Sequence, residues 1–393
     1  MICAGSFLCL SFNVPQKITF TAVEPDSGYA GSQTRMNCHK DIYASHIKTA
    51  HYLTSSIATV QSIKGSFDKD KNVFVYNKFM KVVMEKKNGS FFQSAYVGNS
   101  EYQSEQFDIA IGSARKGQTF LYWQGDKLFQ LPVSYYSPLN SWCNSPGYSA
   151  ALIDFGRPIP ARCLECHATY AKSKLQENNS TVFERSSIIY GIDCERCHGP
   201  AANHVAYHTD HPKDTTAKFI INPARLSRMQ QLDACALCHS GVRKEIKPVF
   251  SFTVGDKLND YSVPNYDTDS SSWLDVHGNQ YGLLTASKCF KMSNMNCSSC
   301  HNVHREEVNE PVVFSSRCMN CHSEALHNFC SLTSVPKTVL IKNCIDCHMP
   351  LLPSKKIFLQ MADAKQSTTD LVRTHRIAIY PEQTKAFIER LHQ

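Results

Sequence analysis

Residues 191–204 read GIDCERCHGPAANH, with Cys194, Cys197 and His198 in the order C-x-x-C-H. The same pattern stands at Cys163, Cys166 and His167; at Cys235, Cys238 and His239; at Cys297, Cys300 and His301; at Cys318, Cys321 and His322; and at Cys344, Cys347 and His348. This spacing is the attachment signal of c-type haem. Two cysteines one helical turn apart can each add to a vinyl group of one porphyrin, and the adjoining histidine then binds iron from the proximal side. Zinc sites pair two C-x-x-C units, or one such unit with distant histidines, and need no His directly after the second Cys. A thioredoxin-like dithiol normally occurs once, on a strand-helix pattern. Histidine is only 17 of 393 residues, so six chance placements have a probability of roughly 10⁻⁸. The pattern implies six haem c groups.

A seventh site is expected at Cys38 and His39. The segment GSQTRMNCHKDIYASHIKTAH, residues 31–51, keeps the second cysteine and the histidine but has Arg35 where the first cysteine would fall. One thioether and the proximal His39 can still hold a haem. The competing reading is a degenerate site with Cys38 as a free thiol. The following residues predict a helix with Ile42, His46 and Ile47 near one face and His51 a turn further on.

The chain carries 18 cysteines, and the six full motifs absorb twelve. Haem c is attached outside the cytoplasmic membrane in bacteria, which implies export to the periplasm or the cell surface. Residues 1–12, MICAGSFLCLSF, resemble the apolar part of a signal peptide without its basic start, and Cys9 offers a weak lipidation position. No later stretch is apolar for the 18 or so residues that a spanning helix needs. Membrane association would then run through a partner or a lipid anchor. The formal charge of +7 does not imply nucleic acid. Each bis-His ferric haem with two ionised propionates brings about −1, and no basic recognition module is present.

Between residues 57 and 136 the character changes and histidine is absent. Apolar and polar residues alternate through 72–97, interrupted at Asn88-Gly89, a strong hairpin signal. Further turns are expected at Gly112, Gly117 and Gly125-Asp126. This predicts an antiparallel β insertion of five to seven strands, serving as a cover or a docking surface.

From Cys163 to His348, 186 residues serve six haems, about 31 each, too few for an ordinary apolar core. The expected fold is a multihaem cytochrome c, mainly short α-helices and irregular loops wrapped round stacked haems, with the β insertion near the N-terminus. The expected organisation is a leader over 1–27, a single-Cys haem motif over 28–56, the β insertion over 57–142, a six-haem domain over 143–350 and a tail over 351–393. The run YSVPNYDTDSSSW, residues 261–273, reads as a surface loop.

The proximal iron ligands are His39, His167, His198, His239, His301, His322 and His348. A low-spin haem needs a second axial ligand, and the preferred distal set is His51, His204, His208, His277, His304, His327 and His375. His211 competes with His208, and His46 and His392 are left as bystanders. His304, three residues after His301, cannot easily reach the far face of its own haem and is expected to serve a neighbour. His375 is expected to bring the tail back onto the haem domain. Arg162, Arg196 and Arg317 are candidates to pair with haem propionates.

Residues 31–51 resemble the cytochrome c-552/4 haem motif. The segments RCLECHATYA, GIDCERCHGPAANH, CSSCHNVH and CIDCHMP are similar to parts of the wider multihaem cytochrome c superfamily, which includes hydroxylamine oxidoreductase and pentahaem nitrite reductase. The resemblance spans residues 28–56 and 143–380. It implies closely packed, mostly bis-His haems. Two departures stand out: Arg35 replaces the first cysteine, and no C-x-x-C-K motif for a lysine-ligated catalytic haem is present. The function expected first is electron transfer between redox partner proteins by haem-to-haem hopping, with no catalytic residue. The alternative is an oxidoreductase acting on a small nitrogen or sulfur compound (nitrite, hydroxylamine or tetrathionate) at one open haem.

Overall fold

The computed structural model describes residues 28–265, 275, 277–307, 310–362 and 367–391. The leader with Cys9, most of the 261–273 loop and His392 lie outside the described residues.

Ten strands occupy Ser55 to Asn144, more than the five to seven expected. They are β1 (Ser55–Ile57), β2 (Val73–Val75), β3 (Met80–Lys87), β4 (Ser90–Val97), β5 (Ser100–Gln106), β6 (Ile109–Ile111), β7 (Gly117–Gln124), β8 (Lys127–Gln130), β9 (Val133–Tyr136) and β10 (Ser141–Asn144). One antiparallel sheet runs β2-β3-β4-β5. The other runs β1-β6-β7-β9-β10, with β8 added on β7. Lys87 pairs with Ser90 across Asn88-Gly89, both at positive φ (51° and 84°), which is the backbone a two-residue hairpin demands. Phe74, Val82, Met84, Phe107, Phe120, Leu131 and Trp142 form the core between the sheets. The Trp142 indole N–H, buried at 2% exposure, donates to the Ser66 carbonyl at 2.9 Å, so its one polar atom is satisfied.

The expectation of a mainly helical, irregular haem region is corrected by the structure. The protein is 28% helix and 26% strand, so strands weigh as much as helices. Antiparallel pairs recur inside the haem-dense region, at Ala168–Tyr170 with Ile189–Tyr190, Ser173–Leu175 with Thr181–Phe183, and Arg243–Glu245 with Ser262–Pro264. The largest joins Leu351–Gln360 to Ser367–Arg373. Chain wound round cofactors still has to satisfy its backbone N–H and C=O groups. Short ladders do this where no helix forms.

The hairpin 351–373 docks on the β region. Met361 bridges to Cys143, Ala362 N donates to Trp142 O at 3.0 Å, and Gln360 N donates to Asn144 Oδ1 at 2.7 Å. The β region and the C-terminal tail therefore share one framework. Beyond the hairpin the backbone leads to His375.

Candidate haem sites

The motifs fall on single turns of helix. Cys194–His198 is a helix capped by the Asp193 carboxylate, which accepts from Cys194 N. Cys344–His348 is another, and Cys235–His239 ends the longer helix Arg228–His239, which starts at a Ser227–Gln230 capping box. At Cys297–His301 the carbonyl of Cys297 accepts from Cys300 N at 3.1 Å and His301 N at 2.9 Å. At Cys318–His322 the equivalent bonds are 3.1 and 2.9 Å.

The histidine rings supply the test of fit. In five of the motif histidines Nδ1 has a partner: His198 donates to Ile221 O at 2.8 Å, His348 to Ala378 O at 2.9 Å and His322 to Asn328 O at 3.2 Å. His239 lies 3.3 Å from Gln280 Oε1, and His167 lies 3.0 Å from Thr54 Oγ1. A carbonyl on Nδ1 fixes the tautomer that leaves the Nε2 lone pair for a metal. Burial pushes His51, His167 and His375 down to about 4, so they are neutral at ordinary pH, the state in which imidazole ligates.

A metal–imidazole bond is about 2 Å, so two rings on opposite sides of one iron have centroids about 6.3 Å apart. The structure sets His39 and His204 at 6.5 Å, His198 and His304 at 6.0 Å, His301 and His375 at 6.1 Å, and His51 and His239 at 6.0 Å. The first three pairs are nearly parallel, and the fourth is tilted by 72°. Each pair joins a motif histidine to one from a remote part of the chain. The residues fit a porphyrin iron held between two imidazoles. In those four sites they would provide the proximal ligands His39, His198, His239 and His301 and the distal ligands His204, His304, His51 and His375.

Other sequence expectations land elsewhere. Among the described residues, His208, His277 and His327 do not face a motif histidine at this distance, and no second imidazole stands opposite His167, His322 or His348. The His208 ring instead lies 4.6 Å from that of His204, and His211 stacks on Tyr207. His46, left aside in the sequence, is 7% exposed. Its Nε2 donates to Ile192 O at 3.2 Å, beside the start of the Cys194 motif.

The arginines expected on propionates have protein partners. Arg162 pairs with Glu165, Arg196 donates to the Glu165 carbonyl at 3.0 Å, and Arg317 pairs with Glu307. The motif-interior carboxylates Glu165 and Glu195 are buried and reach distant backbone. Glu165 accepts from Phe250 N at 2.8 Å, and Glu195 accepts from Ala30 N, Gly31 N and Ala201 N at 2.8–2.9 Å. Their sequence signal was an acidic residue inside a haem motif.

Thiols of different motifs also lie against each other, Cys166 with Cys238, Cys235 with Cys297 and Cys318 with Cys344. The motifs are thus packed side by side. Every described cysteine is free of a disulfide. The one group of metal-ligating side chains that converges among the described residues is His46, Asp193 and Cys194, which takes only one sulfur from one motif.

Residues 154–199 match the family described as cytochrome c554 and c-prime. Multiheme cytochrome MtrA of Shewanella baltica (strain OS185) is 24% identical over 194 residues, 48% of this chain and 45% of that protein, so the chain spans about half the length of this curated relative. The crystal structure of the outer cell wall cytochrome OcwA shares the fold, with a TM-score of 0.53 over 91% of this chain and 81% of that one, at 16% identity. Together with the six C-x-x-C-H motifs, these likenesses support the general class of multihaem c-type cytochromes. Among the described residues no helix is long and apolar enough to cross a membrane.

Proposed function

We propose that this protein is an exported seven-haem electron carrier passing electrons between redox partner proteins at the periplasmic or outer face of a bacterial cell. The observation that carries this reading is the set of four histidine pairs at 6.0–6.5 Å, each drawing its second ring from beside another motif or from the tail. Haem supplies a one-electron iron couple, tuned by axial ligand and burial. The chain does the rest. Its cysteines tether each porphyrin, Nδ1 contacts orient the imidazoles of His167, His198, His239, His322 and His348, and its buried carboxylates lock motif to motif. Low-spin bis-imidazole coordination changes little in geometry between oxidation states, which suits transfer over catalysis. His204 stands six residues after His198, His304 three after His301 and His51 twelve after His39, so each of these three ties two sites together, while His375 ties the tail to one.

A second reading rests on His167, His322 and His348, which face no second imidazole among the described residues. One such site with an open iron position would bind a small nitrogen or sulfur compound. Low-temperature EPR with visible spectra separates the two. A carrier gives low-spin signals throughout and no shift with nitrite, hydroxylamine or cyanide. A high-spin signal that shifts with such a ligand supports the oxidoreductase.

A further inference from the structure

Arg35 stands where a haem motif has its first cysteine, yet the turn it begins has the geometry of the complete motifs. Its carbonyl accepts from Cys38 N at 3.1 Å and from His39 N at 2.8 Å. The Cys297 and Cys318 carbonyls make the same two bonds at 3.1 and 2.9 Å. His39 at the end of the turn is stacked opposite His204. Backbone and imidazoles are thus in place for a haem with one sulfur missing.

The Arg35 side chain is 8% exposed. It forms an ion pair at 3.1 Å with Glu195, itself 3% exposed and the residue after Cys194 in the next motif. Glu195 Oε1 accepts from Ala30 N and Ala201 N, and Oε2 from Gly31 N. One carboxylate therefore gathers the approach to the 35–39 turn, the arginine that starts it and the chain leading to His204. A buried charge without its partner is strongly destabilising, so neither member is a neutral replacement.

We propose that Arg35 substitutes an ionic clamp for the missing thioether. The Arg35–Glu195 pair holds the 35–39 turn against the helix Cys194–His198, and the haem there is bound through Cys38 alone. The Cys38 thiol adds across one vinyl double bond. A sulfur–carbon bond forms, the thiol hydrogen ends on the neighbouring carbon, no atom leaves and no external electrons are needed. The second vinyl stays intact. Arg35 is a positioning residue, and the inference rests on the seven-haem reading above.

The test is covalent haem count by intact mass of the denatured holoprotein, read beside the pyridine haemochrome spectrum, whose α band moves to longer wavelength when a vinyl survives. Wild type is expected to carry seven haems, with one seventh of the absorbance red-shifted. Arg35→Leu and Glu195→Gln should each lower occupancy of that haem several-fold while six remain, which shows that the rest of the protein has folded. Arg35→Lys, which keeps the charge, should restore most of it. Seven haems in wild type together with full occupancy in both Arg35→Leu and Glu195→Gln would overturn the clamp and leave the seven-haem reading standing. Six haems in wild type would overturn both.

Discussion

The Tyr136 hydroxyl donates to Asp370 Oδ1 at 2.8 Å, joining two buried residues 234 positions apart. Tyr136 ends β9 of the β region, and Asp370 lies in the second strand of the C-terminal hairpin, five residues before His375. Lys116 also reaches Asp370, at 3.1 Å. Burial, then the facing carboxylate, raises the Tyr136 phenol pKa, so the donor keeps its proton through the neutral range. The β region, which holds no histidine between residues 57 and 136, thereby fixes the strand that delivers an iron-ligand candidate.

Removing that hydroxyl takes one of two donors from Asp370 Oδ1 and leaves Lys116 as the other. Tyr136→Phe is expected to cost about 1–3 kcal/mol, visible as a lower thermal midpoint with the haem count unchanged. Asp370→Ala removes the acceptor from both Tyr136 and Lys116, and should loosen His375 as well. Its signature is a partial high-spin signal in the oxidised protein that Tyr136→Phe shows less strongly. Equal spectra for Asp370→Ala and wild type would show that the hairpin does not hold His375.

The four ring pairs each name one distal-ligand candidate to test. His204→Ala, His304→Ala, His51→Ala and His375→Ala should each convert one haem from low to high spin, with EPR integration as the measurement. His327→Ala should change nothing, because in the structure His327 sits at a positive φ of 54° in an exposed turn and faces no motif histidine. A low-spin His375→Ala protein would remove His375 from the ligand set.

The Arg317 guanidinium beside Glu307 holds that carboxyl down at about 2. The pair joins the segment after His301 to the helix Pro311–Met319, and Arg317 also donates to the Cys300 carbonyl. A carboxyl whose pKa is lower in the folded state than its ordinary value of about 4.3 adds stability above that value. That stability is lost as pH falls towards about 2. Glu307→Gln should therefore lower stability at pH 7 and flatten the acid limb of the stability curve below pH ~4. Chemical denaturation at pH 7 and in the acid range measures both effects. An acid limb identical to wild type would contradict the assignment.

Thiol chemistry separates two of the cysteines outside the motifs. Cys143 is 1% exposed and burial pushes its thiol up to about 12, whereas Cys330 is exposed. A thiolate is the reactive form. Alkylation of the folded holoprotein at pH 8, mapped by peptide mass, should modify Cys330 and spare Cys143 until the protein is unfolded. Labelling of Cys143 in the folded state would mean that the hairpin at Met361 opens readily.

Parts of the fold were legible because the signal is local. Asn88-Gly89 announces its hairpin through the positive φ that both residues adopt. The hairpin 351–373 was not legible. Pro353 and the Lys355-Lys356 pair interrupt the alternation a strand would show, and the ladder accommodates them with a register shift between Pro353 and Phe358. The structure also set Arg35 in a new light, because its partner Glu195 lies far along the chain.

The sequence by itself determined the chemistry. Two cysteines and a histidine within five residues are held by one turn of backbone, and no distant contact is needed to say that they meet one porphyrin. Tertiary structure alone decided which histidine stands opposite. His39 meets His204, His198 meets His304, His301 meets His375 and His51 meets His239. Such pairings require closing long loops, and which loop closes on which is set by packing of the whole chain, through contacts such as Tyr136–Asp370 and Arg35–Glu195.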